Sequence, residues 1–340
     1  MFDRYLKSVV GGEALDAAQA YQTARMLLHE DVPDVQAAAF LSALRTRKES
    51  PEELAGFVQA LYEEAISIET DRELIDTCGT GGDGLGTFNI STAAALVVAS
   101  CGVAVAKHGN RAATSKVGSA DVLEALGVNI EMTPDQAREL LDKVGISFFF
   151  APYYHPILKR VGSLRRQIGI ATIFNFLGPL LNPCRLSYQV MGIADAGLQE
   201  AIARTLIQLG RKRALVVHAY NGMDEISPVG ATRVFEVRES VHSSYDINAQ
   251  ELGLPVCNLE ALKGGDRDTN ARIVRRVLEG NPGPHREAAL LNAAAALLVA
   301  GRVGSLPEGM EMAAQAVDSG QTRKTLLAMI SCSQDRVVPC

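Results

Sequence analysis

From Glu73 onward the chain alternates short apolar segments with longer helical ones, and this alternation constrains the fold more than any other feature. The apolar segments are ELIDTC, GVAVAK, GVNIEM and GISFFF, and the helical ones are TAAALVVASCG, SADVLEALG and DQARELLDKVG. Further strands are predicted at YQVMGI, RALVVHAY and TRVFEVRE. Strand and helix in alternation are typical of a parallel sheet covered by helices. The predicted fold class is therefore α/β with a mostly parallel central sheet.

The first seventy residues show helical periodicity only, which predicts a small helical domain over residues 1–70. Ser50, Pro51 and Glu53 form a predicted helix start, with Ser50 as N-cap and Glu53 closing a capping box. Residues 152–187, rich in proline and arginine, interrupt the sheet pattern and are predicted to join the helical domain. Residues 73–151 and 188–340 then form the larger α/β domain.

Composition excludes several function classes. The 340 residues are 47% hydrophobic and 21% charged, with a formal charge of -6 and no long basic run, so neither disorder nor nucleic-acid binding through bulk charge is expected. No signal-peptide core or membrane-length apolar run is visible, so no membrane partner is expected. Six scattered cysteines form no zinc or disulfide pattern, which is typical of a reduced cytoplasm.

A glycine-dense loop, GTGGDGLGTFNIST, occupies residues 79–92 and begins with a fit to the dinucleotide pattern G-x-G-x-x-G. A dinucleotide site needs a helix opening within the glycines and an acidic residue about 20 positions later. Here the helix is predicted to start only after Asn89–Thr92, and the next strand ends in Lys107. The loop instead indicates phosphate binding by backbone amides, with hydroxyls at Thr87, Ser91 and Thr92. From the loop alone, a merely flexible turn remains the alternative.

Two further strand ends strengthen the phosphate interpretation. The segment KHGNRAATSK, residues 107–116, and Ser119 bring cations, an amide and hydroxyls to the end of a neighbouring strand, where open α/β sheets bind ligands. Asp224 and Glu225 follow a third strand, and such a pair can hold Mg²⁺ beside substrate phosphates. Taken singly, a solvated charge cluster and a surface acid pair are the alternatives.

The ordered set GTGGD, NIST, KHGNR, GSADVLEALG, TIFNFLGPLLNP and GMDEIS resembles the anthranilate phosphoribosyltransferase family over essentially the whole chain. The resemblance implies a helical domain, a larger α/β domain, an active site between them and a homodimer formed through the helical domain. It implies transfer of the phosphoribosyl group of phosphoribosyl pyrophosphate to the amine of anthranilate, with Mg²⁺ as cofactor.

The resemblance also implies roles for individual residues. Lys107 and Asp83 are implied as catalytic, and Ser91, Asp224 and Glu225 as ligands of Mg²⁺. Gly79, Asn110 and Arg165 are implied to contact anthranilate. The residues implied to bind phosphoribosyl pyrophosphate are Gly79, Gly82, Asp83, Thr87, Asn89, Ile90, Ser91, Thr92, Lys107, His108, Gly109, Asn110, Arg111, Ala112, Ala113, Thr114, Ser115 and Ser119.

Three questions stay open at the level of sequence. His108 is the nearest candidate for a general base, and it could equally be structural. A pyrimidine nucleoside phosphorylase is an alternative enzyme, although it needs no Asp-Glu metal pair and GMDEIS therefore argues against it. A non-catalytic relative that binds nucleic acid is the alternative outside enzymes, and the charge of -6 opposes it.

Overall fold

The computed structural model describes residues 1–29, 32–112 and 116–334. The strands are β1 Ile75–Gly79, β2 Val105–Gly109, β3 Ile146–Phe150, β4 Tyr188–Gly192, β5 Arg213–Ala219, β6 Ala231–Arg238 and β7 Val241–Asn248. The α-helices are α1 Phe2–Val10, α2 Ala17–His29, α3 Asp34–Arg47, α4 Pro51–Glu63, α5 Ile90–Ser100, α6 Ser119–Leu126, α7 Pro134–Val144, α8 Ala151–Tyr154, α9 Leu158–Ile168, α10 Phe174–Leu177, α11 Gln199–Gln208, α12 Arg267–Leu278, α13 Pro284–Val299, α14 Leu306–Asp318 and α15 Gln321–Gln334.

The capping box at the start of α4 is confirmed. Glu53 N–H donates to Ser50 Oγ at 3.2 Å, and Ser50 N–H donates to Glu53 Oε2 at 2.8 Å. The same Glu53 carboxylate is fully buried and accepts the Leu15 N–H at 3.0 Å. One local sequence signal therefore also ties α4 to the segment that precedes α2.

The strands form one sheet in the order β3-β2-β1-β4-β5-β6-β7. Strands β1 to β5 run parallel to one another, β6 is antiparallel to β5, and β7 is antiparallel to β6. The predicted mostly parallel sheet beside a helical N-terminal part is confirmed. Strand β7 was not among the predicted strands, and its residues are mostly exposed at the edge of the sheet.

The predicted strand at GVNIEM, residues 127–132, is wrong. Val128, Ile130 and Met132 are buried, so the alternation that suggested a strand reflects real burial. The backbone is not part of the sheet. Asn129 instead donates from its N–H to Ser333 Oγ at 3.0 Å and from Nδ2 to the Ser333 carbonyl at 3.2 Å, which ties the segment to α15.

Two hydrophobic clusters fill the two sides of the sheet. One surrounds α5 and α13, and the other combines the N-terminal helices with α9, α10 and α11. Residues of the 152–187 segment, such as Leu164, Phe174 and Leu180, belong to the second cluster. Phe174 meets the Phe57 ring of α4 edge to face, with centroids 5.9 Å apart. The exact domain limits stay a prediction.

Among the described helices, none is both long enough and apolar enough to cross a bilayer.

Candidate functional site

The carboxyl ends of β1 and β2 meet the loop after β5 in a cleft of about 280 Å³. Parallel strands place their carboxyl ends at one edge, which explains why segments distant in sequence converge here. The predicted residues that line the cleft are Gly79, Gly82, Asp83, Thr87, Asn89, Ile90, Ser91, Thr92, Lys107, His108, Gly109, Asn110, Arg111, Ala112, Ser119, Asp224 and Glu225. Ala113, Thr114 and Ser115 lie outside the described residues.

The glycine loop lies over the cleft and includes backbone conformations that residues other than glycine rarely adopt. Gly82 and Gly84 have φ values of +82° and +71°, in the left-handed region. The end of the loop is held by a distant segment, because Phe88 N–H donates to the Leu262 carbonyl and Gly264 N–H to the Gly86 carbonyl, both at 3.0 Å. Residues 262–264 therefore hold the loop in place, and this contact could not be predicted from the sequence.

The helix after the loop begins earlier than predicted. Asn89 is the N-cap of α5 and Ile90 is its first residue, so Ser91 and Thr92 lie in the first turn rather than ahead of the helix. The Asn89 side chain joins two other segments: Nδ2 donates to the Val117 carbonyl at 3.3 Å, and Oδ1 accepts from Asn270 at 2.9 Å. The helix still opens after the glycines, which agrees with phosphate binding and not with a dinucleotide fingerprint.

Two adjacent carboxylates enter the cleft from the loop after β5. Asp224 Oδ2 accepts the Gly81 N–H at 2.6 Å, and Glu225 Oε1 accepts the Ser91 N–H at 3.2 Å. Neighbouring acidic residues thus reach two different walls of the cleft, the glycine loop and the first turn of α5. The predicted convergence of Ser91 with both acids is present in the structure.

These acids are in an environment that disfavours their negative charge. Burial, together with the facing Asp83 carboxyl, raises the pKa of Asp224 above its ordinary value. Burial and the neighbouring Asp224 likewise raise the pKa of Glu225. Asp83 Oδ2 is buried without a hydrogen-bond partner among the described residues. A cation in the cleft would relieve all three effects, because it compensates buried charge.

The donor set fits Mg²⁺ better than a metal held wholly by protein. Within the described ranges, no group of three or more His, Cys, Asp or Glu side chains is arranged to hold a metal ion. Magnesium keeps several waters and is usually bound by one or two carboxylates plus substrate phosphates. Asp224, Glu225 and the Ser91 hydroxyl supply such a partial set of oxygen ligands.

Lys107 is the buried cation of the cleft. Its side chain is on β2 with 2% exposure, and Nζ donates to the Thr77 carbonyl of β1 at 2.7 Å. The ammonium group lies close enough to Asp76 and Glu225 to stabilise their ionised forms. A buried ammonium needs such partners, and it places a positive charge where a ligand's phosphates enter.

His108 lines the cleft as a neutral imidazole. Burial and the His155 ring lower the pKa of His108 to about 3. Nδ1 lies 3.1 Å from the Gly178 carbonyl, which only accepts hydrogen bonds, so Nδ1 carries the proton and Nε2 a lone pair. A base with so low a pKa is poorly matched to catalysis near neutral pH, and the structural alternative for His108 is favoured.

Arg111 does not offer a free guanidinium to the cleft. It bonds Asp121 at 3.1 Å and Glu124 at 2.9 and 3.0 Å, both on α6. Asp121 also accepts the N–H groups of Ala112 and Gly118. Arg111 therefore anchors its loop to α6, so that Lys107 is the main cationic side chain facing the ligand within the described lining.

Arg165 is not part of the described lining of the cleft. It projects from α9, where an NH2 group lies 3.5 Å from Asn175 Oδ1 and the guanidinium lies 6.0 Å from the centre of the Phe174 ring. Gly79 and Asn110, its predicted partners in contacting anthranilate, do line the cleft. The structure thus brings two of these three residues together.

A glycine loop, a helix N-terminus, a buried lysine and an acid pair at one sheet edge define a phosphate-binding enzyme of the α/β class. Family models agree: a glycosyl transferase family helical bundle domain matches residues 3–65, and a glycosyl transferase family a/b domain matches residues 71–323. The chain belongs to this glycosyl transferase family and, within it, to the anthranilate phosphoribosyltransferases.

The relatives that support this assignment cover nearly all of the chain. An anthranilate phosphoribosyltransferase of Syntrophomonas wolfei is 68% identical over 340 residues, 100% of both chains. The crystal structure of the Thermus thermophilus enzyme has a TM-score of 0.92 at 41% identity and covers 97% of this chain and 99% of that one. The Saccharomyces cerevisiae enzyme in complex with PRPP and Mg has a TM-score of 0.89 at 26% identity, covering 98% of this chain and 97% of that one.

Proposed function

We propose that this protein transfers the 5-phosphoribosyl group of phosphoribosyl pyrophosphate to the amine of anthranilate, releasing pyrophosphate, as a step of tryptophan biosynthesis. The observation that carries the proposal is the convergence of the glycine loop with Asp224 and Glu225 in one cleft. Full-length identity of 68% to a relative of that name supports it.

The glycine loop and the first turn of α5 hold the phosphates in this proposal. Backbone amides approach closely where no side chain intervenes, and the helix N-terminus favours negative charge. Ser91, Asp224 and Glu225 hold Mg²⁺, which neutralises charge developing on departing pyrophosphate. Asp83 faces Asp224, and its carboxylate adds negative charge that attracts the same cation.

The chain's own residues act by position and charge. The anthranilate nitrogen attacks the ribose C1, the bond from C1 to the pyrophosphate oxygen breaks with its electron pair leaving on pyrophosphate, and the amine gives up one proton to water. Lys107 stabilises the charge that leaves with pyrophosphate. His108 takes no part in the proton transfer, because its pKa is far below neutrality. Asn110 and Gly79 contact anthranilate, and Arg165 pairs with its carboxylate when the two parts of the molecule approach.

The same proposal includes a homodimer formed through the N-terminal helices. It also includes a reduced cytoplasm as the compartment. Val10 and Val35, on α1 and α3, are 64% and 81% exposed, which supports a covering partner on this part.

The deciding experiment follows the native fluorescence of anthranilate. Fluorescence is expected to fall when phosphoribosyl pyrophosphate and Mg²⁺ are both present and to persist when either is omitted. Supplying phosphate with a pyrimidine nucleoside instead tests the phosphorylase alternative, which needs no acid pair. Phosphorolysis together with unchanged anthranilate fluorescence would overturn the proposal.

A further inference from the structure

The strands that carry the two halves of the cleft are joined unusually weakly by their backbones. Strands β1 and β2 pair at Ile75 and Val105, at the ends away from the cleft. By contrast, β1 with β4 and β2 with β3 each pair at five successive positions. Toward the cleft, β1 and β2 therefore separate.

Side chains fill the gap between the separated strands. Asn182 Nδ2 donates to the Ala106 carbonyl of β2 at 2.7 Å and to Asp76 Oδ2 of β1 at 3.0 Å, and its Oδ1 accepts the Cys184 N–H at 3.0 Å. Asp76 Oδ1 has no hydrogen-bond partner among the described residues. Asp76 and Asn182 are fully buried. The Asn182 side chain thus occupies the Ala106 carbonyl, a backbone group that a regular ladder would pair, and ties it to the Asp76 carboxylate.

The Lys107 side chain also crosses the gap between β1 and β2. Lys107 follows Ala106, the residue whose carbonyl Asn182 holds, and its ammonium donates to the Thr77 carbonyl across the gap. The carboxylate of Asp76 is the nearest opposite charge on β1 to that ammonium. The position of Lys107 therefore depends on the two side chains that keep the strands apart.

Asn182 is itself anchored by a run of hydrogen bonds. It ends a segment, residues 178–182, whose backbone carbonyls accept side chains from four other parts of the chain. The acceptor and donor pairs are Gly178 with His108 at 3.1 Å, Pro179 with Gln189 at 2.7 Å, Leu180 with Tyr62 at 2.8 Å and Leu181 with His155 at 2.7 Å. A segment held at successive residues presents Asn182 in one orientation.

We propose that Asp76 and Asn182 are positioning residues that hold β1 and β2 apart and thereby set the distance between the glycine loop and Lys107. This inference rests on the proposed function, since that distance matters to a ligand whose phosphates contact both. Neither residue lines the cleft, so each acts through Lys107 and the glycine loop.

The variant Asn182→Leu, of nearly the same shape, tests the proposal. It leaves the Ala106 carbonyl and the Asp76 carboxylate without their donor, so β1 and β2 are expected to shift relative to each other. We expect the KM for phosphoribosyl pyrophosphate to rise about tenfold and kcat/KM to fall on the order of 10²-fold, as for sub-ångström to ångström misplacement of binding groups. The KM for anthranilate is expected to change less than twofold.

Gln199→Met is the matched control. Gln199 is also a buried amide that bridges two strands, donating to the Val216 carbonyl of β5 at 3.2 Å and the Arg233 carbonyl of β6 at 3.0 Å, but it does not line the cleft or contact Lys107. Loss of the Gln199 amide should lower the melting temperature of the protein and leave the KM values for phosphoribosyl pyrophosphate and for anthranilate unchanged. If Asn182→Leu behaves like this control, the two residues are merely structural and the inference is wrong.

Two further variants keep the test decisive if Asn182→Leu does not fold. Asn182→Ser retains one donor, and Asp76→Asn retains the side-chain shape; each should raise the KM for phosphoribosyl pyrophosphate in the folded fraction. Unchanged KM values in both would overturn the inference. Wild-type protein assayed in parallel separates the two proposals: no anthranilate consumption by wild type refutes the function, whereas active wild type with unaltered variants refutes only the positioning role.

Discussion

His108 shows how burial decides the chemistry of a single residue. Its ring lies in the cleft next to Lys107, the expected place for a general base, yet it meets the His155 ring edge to face with centroids 5.3 Å apart. Burial, a second imidazole and a nearby ammonium make a further positive charge on His108 unfavourable. Its Nδ1 proton binds the Gly178 carbonyl. His108 is thus a neutral brace between β2 and the 178–182 segment.

The neutral state of His108 predicts a pH dependence of stability. Its pKa in the folded protein is about 3, against about 6.5 in an unfolded chain. Between these values the unfolded chain binds the extra proton, so the free energy of unfolding falls as the pH is lowered. For one proton the slope is about 1.4 kcal/mol per pH unit. Urea unfolding at several pH values between 4 and 7 measures this change of the unfolding free energy with pH.

The matched variant for this slope is His108→Asn, whose amide can still donate to the Gly178 carbonyl. It is less stable than wild type at pH 7 but should lose stability less steeply below pH 6. Wild type and variant curves that run parallel from pH 6 to pH 4 would mean that His108 accepts a proton in the folded state, contrary to the assignment.

At the scale of secondary structure, local signals were predictable and distant ones were not. The predicted capping box at Ser50 depends on residues three apart in sequence and is present, and the structure shows another at Thr133. Residues 127–132 were wrongly predicted as a strand because burial alternates there as in a strand. The hydrogen-bond partner of Asn129 is Ser333, more than 200 residues away. Strand β7 was missed because a polar edge strand carries little apolar periodicity.

The candidate site divides in the same way. The segments at strand ends could be assigned from the sequence, because glycines, hydroxyls and charges cluster there and parallel strands end at one edge. The residues that hold these segments in place could not be assigned from the sequence. Asn182 and Asp76 are 106 residues apart, and the brace on the glycine loop comes from Leu262. The Asp in the apolar strand pattern ELIDTC is a signal of such support, whereas Asn182 lies outside any strand.

Strands β1 and β4 end in glycines where the loop that carries Asp224 crosses them closely, and these two glycines predict different outcomes. A Cβ at Gly192 of β4 would lie 1.6 Å from the Asp224 carbonyl oxygen, whereas one at Gly79 of β1 would lie 2.4 Å from its carboxylate. Backbone resists such displacement more than the end of a side chain does. We expect Gly192→Ala to cost about 3 kcal/mol of unfolding free energy or more, and Gly79→Ala to cost less.

The two variants differ in function as well. Gly79→Ala moves the Asp224 carboxylate and should raise the Mg²⁺ concentration needed for half-maximal activity while the fold persists. Chemical denaturation and Mg²⁺ titration of activity measure both effects. A Gly79→Ala enzyme with the wild-type Mg²⁺ requirement would contradict the placement of Asp224 at the metal.

At the scale of the whole molecule, the cleft and Arg165 belong to different parts. The cleft is formed by the sheet, and Arg165 lies on α9, which packs with the N-terminal helices. The parts are joined by an ion pair between Arg45 of α3 and Asp195, which follows β4. The proposed contact between Arg165 and the anthranilate carboxylate would therefore come from the helical part, and the phosphate contacts from the sheet.

Arg165→Ala tests this two-part arrangement. A charged hydrogen bond to a carboxylate contributes about 1.5–3 kcal/mol, so the KM for anthranilate should rise by about 10- to 150-fold, with the KM for phosphoribosyl pyrophosphate nearly unchanged. Arg166→Ala is the control, because Arg166 is the exposed neighbour on the same helix. Steady-state kinetics with each substrate varied in turn measures both constants. Equal effects of the two variants would contradict the assignment, because a directed contact should distinguish Arg165 from a general loss of positive charge on α9.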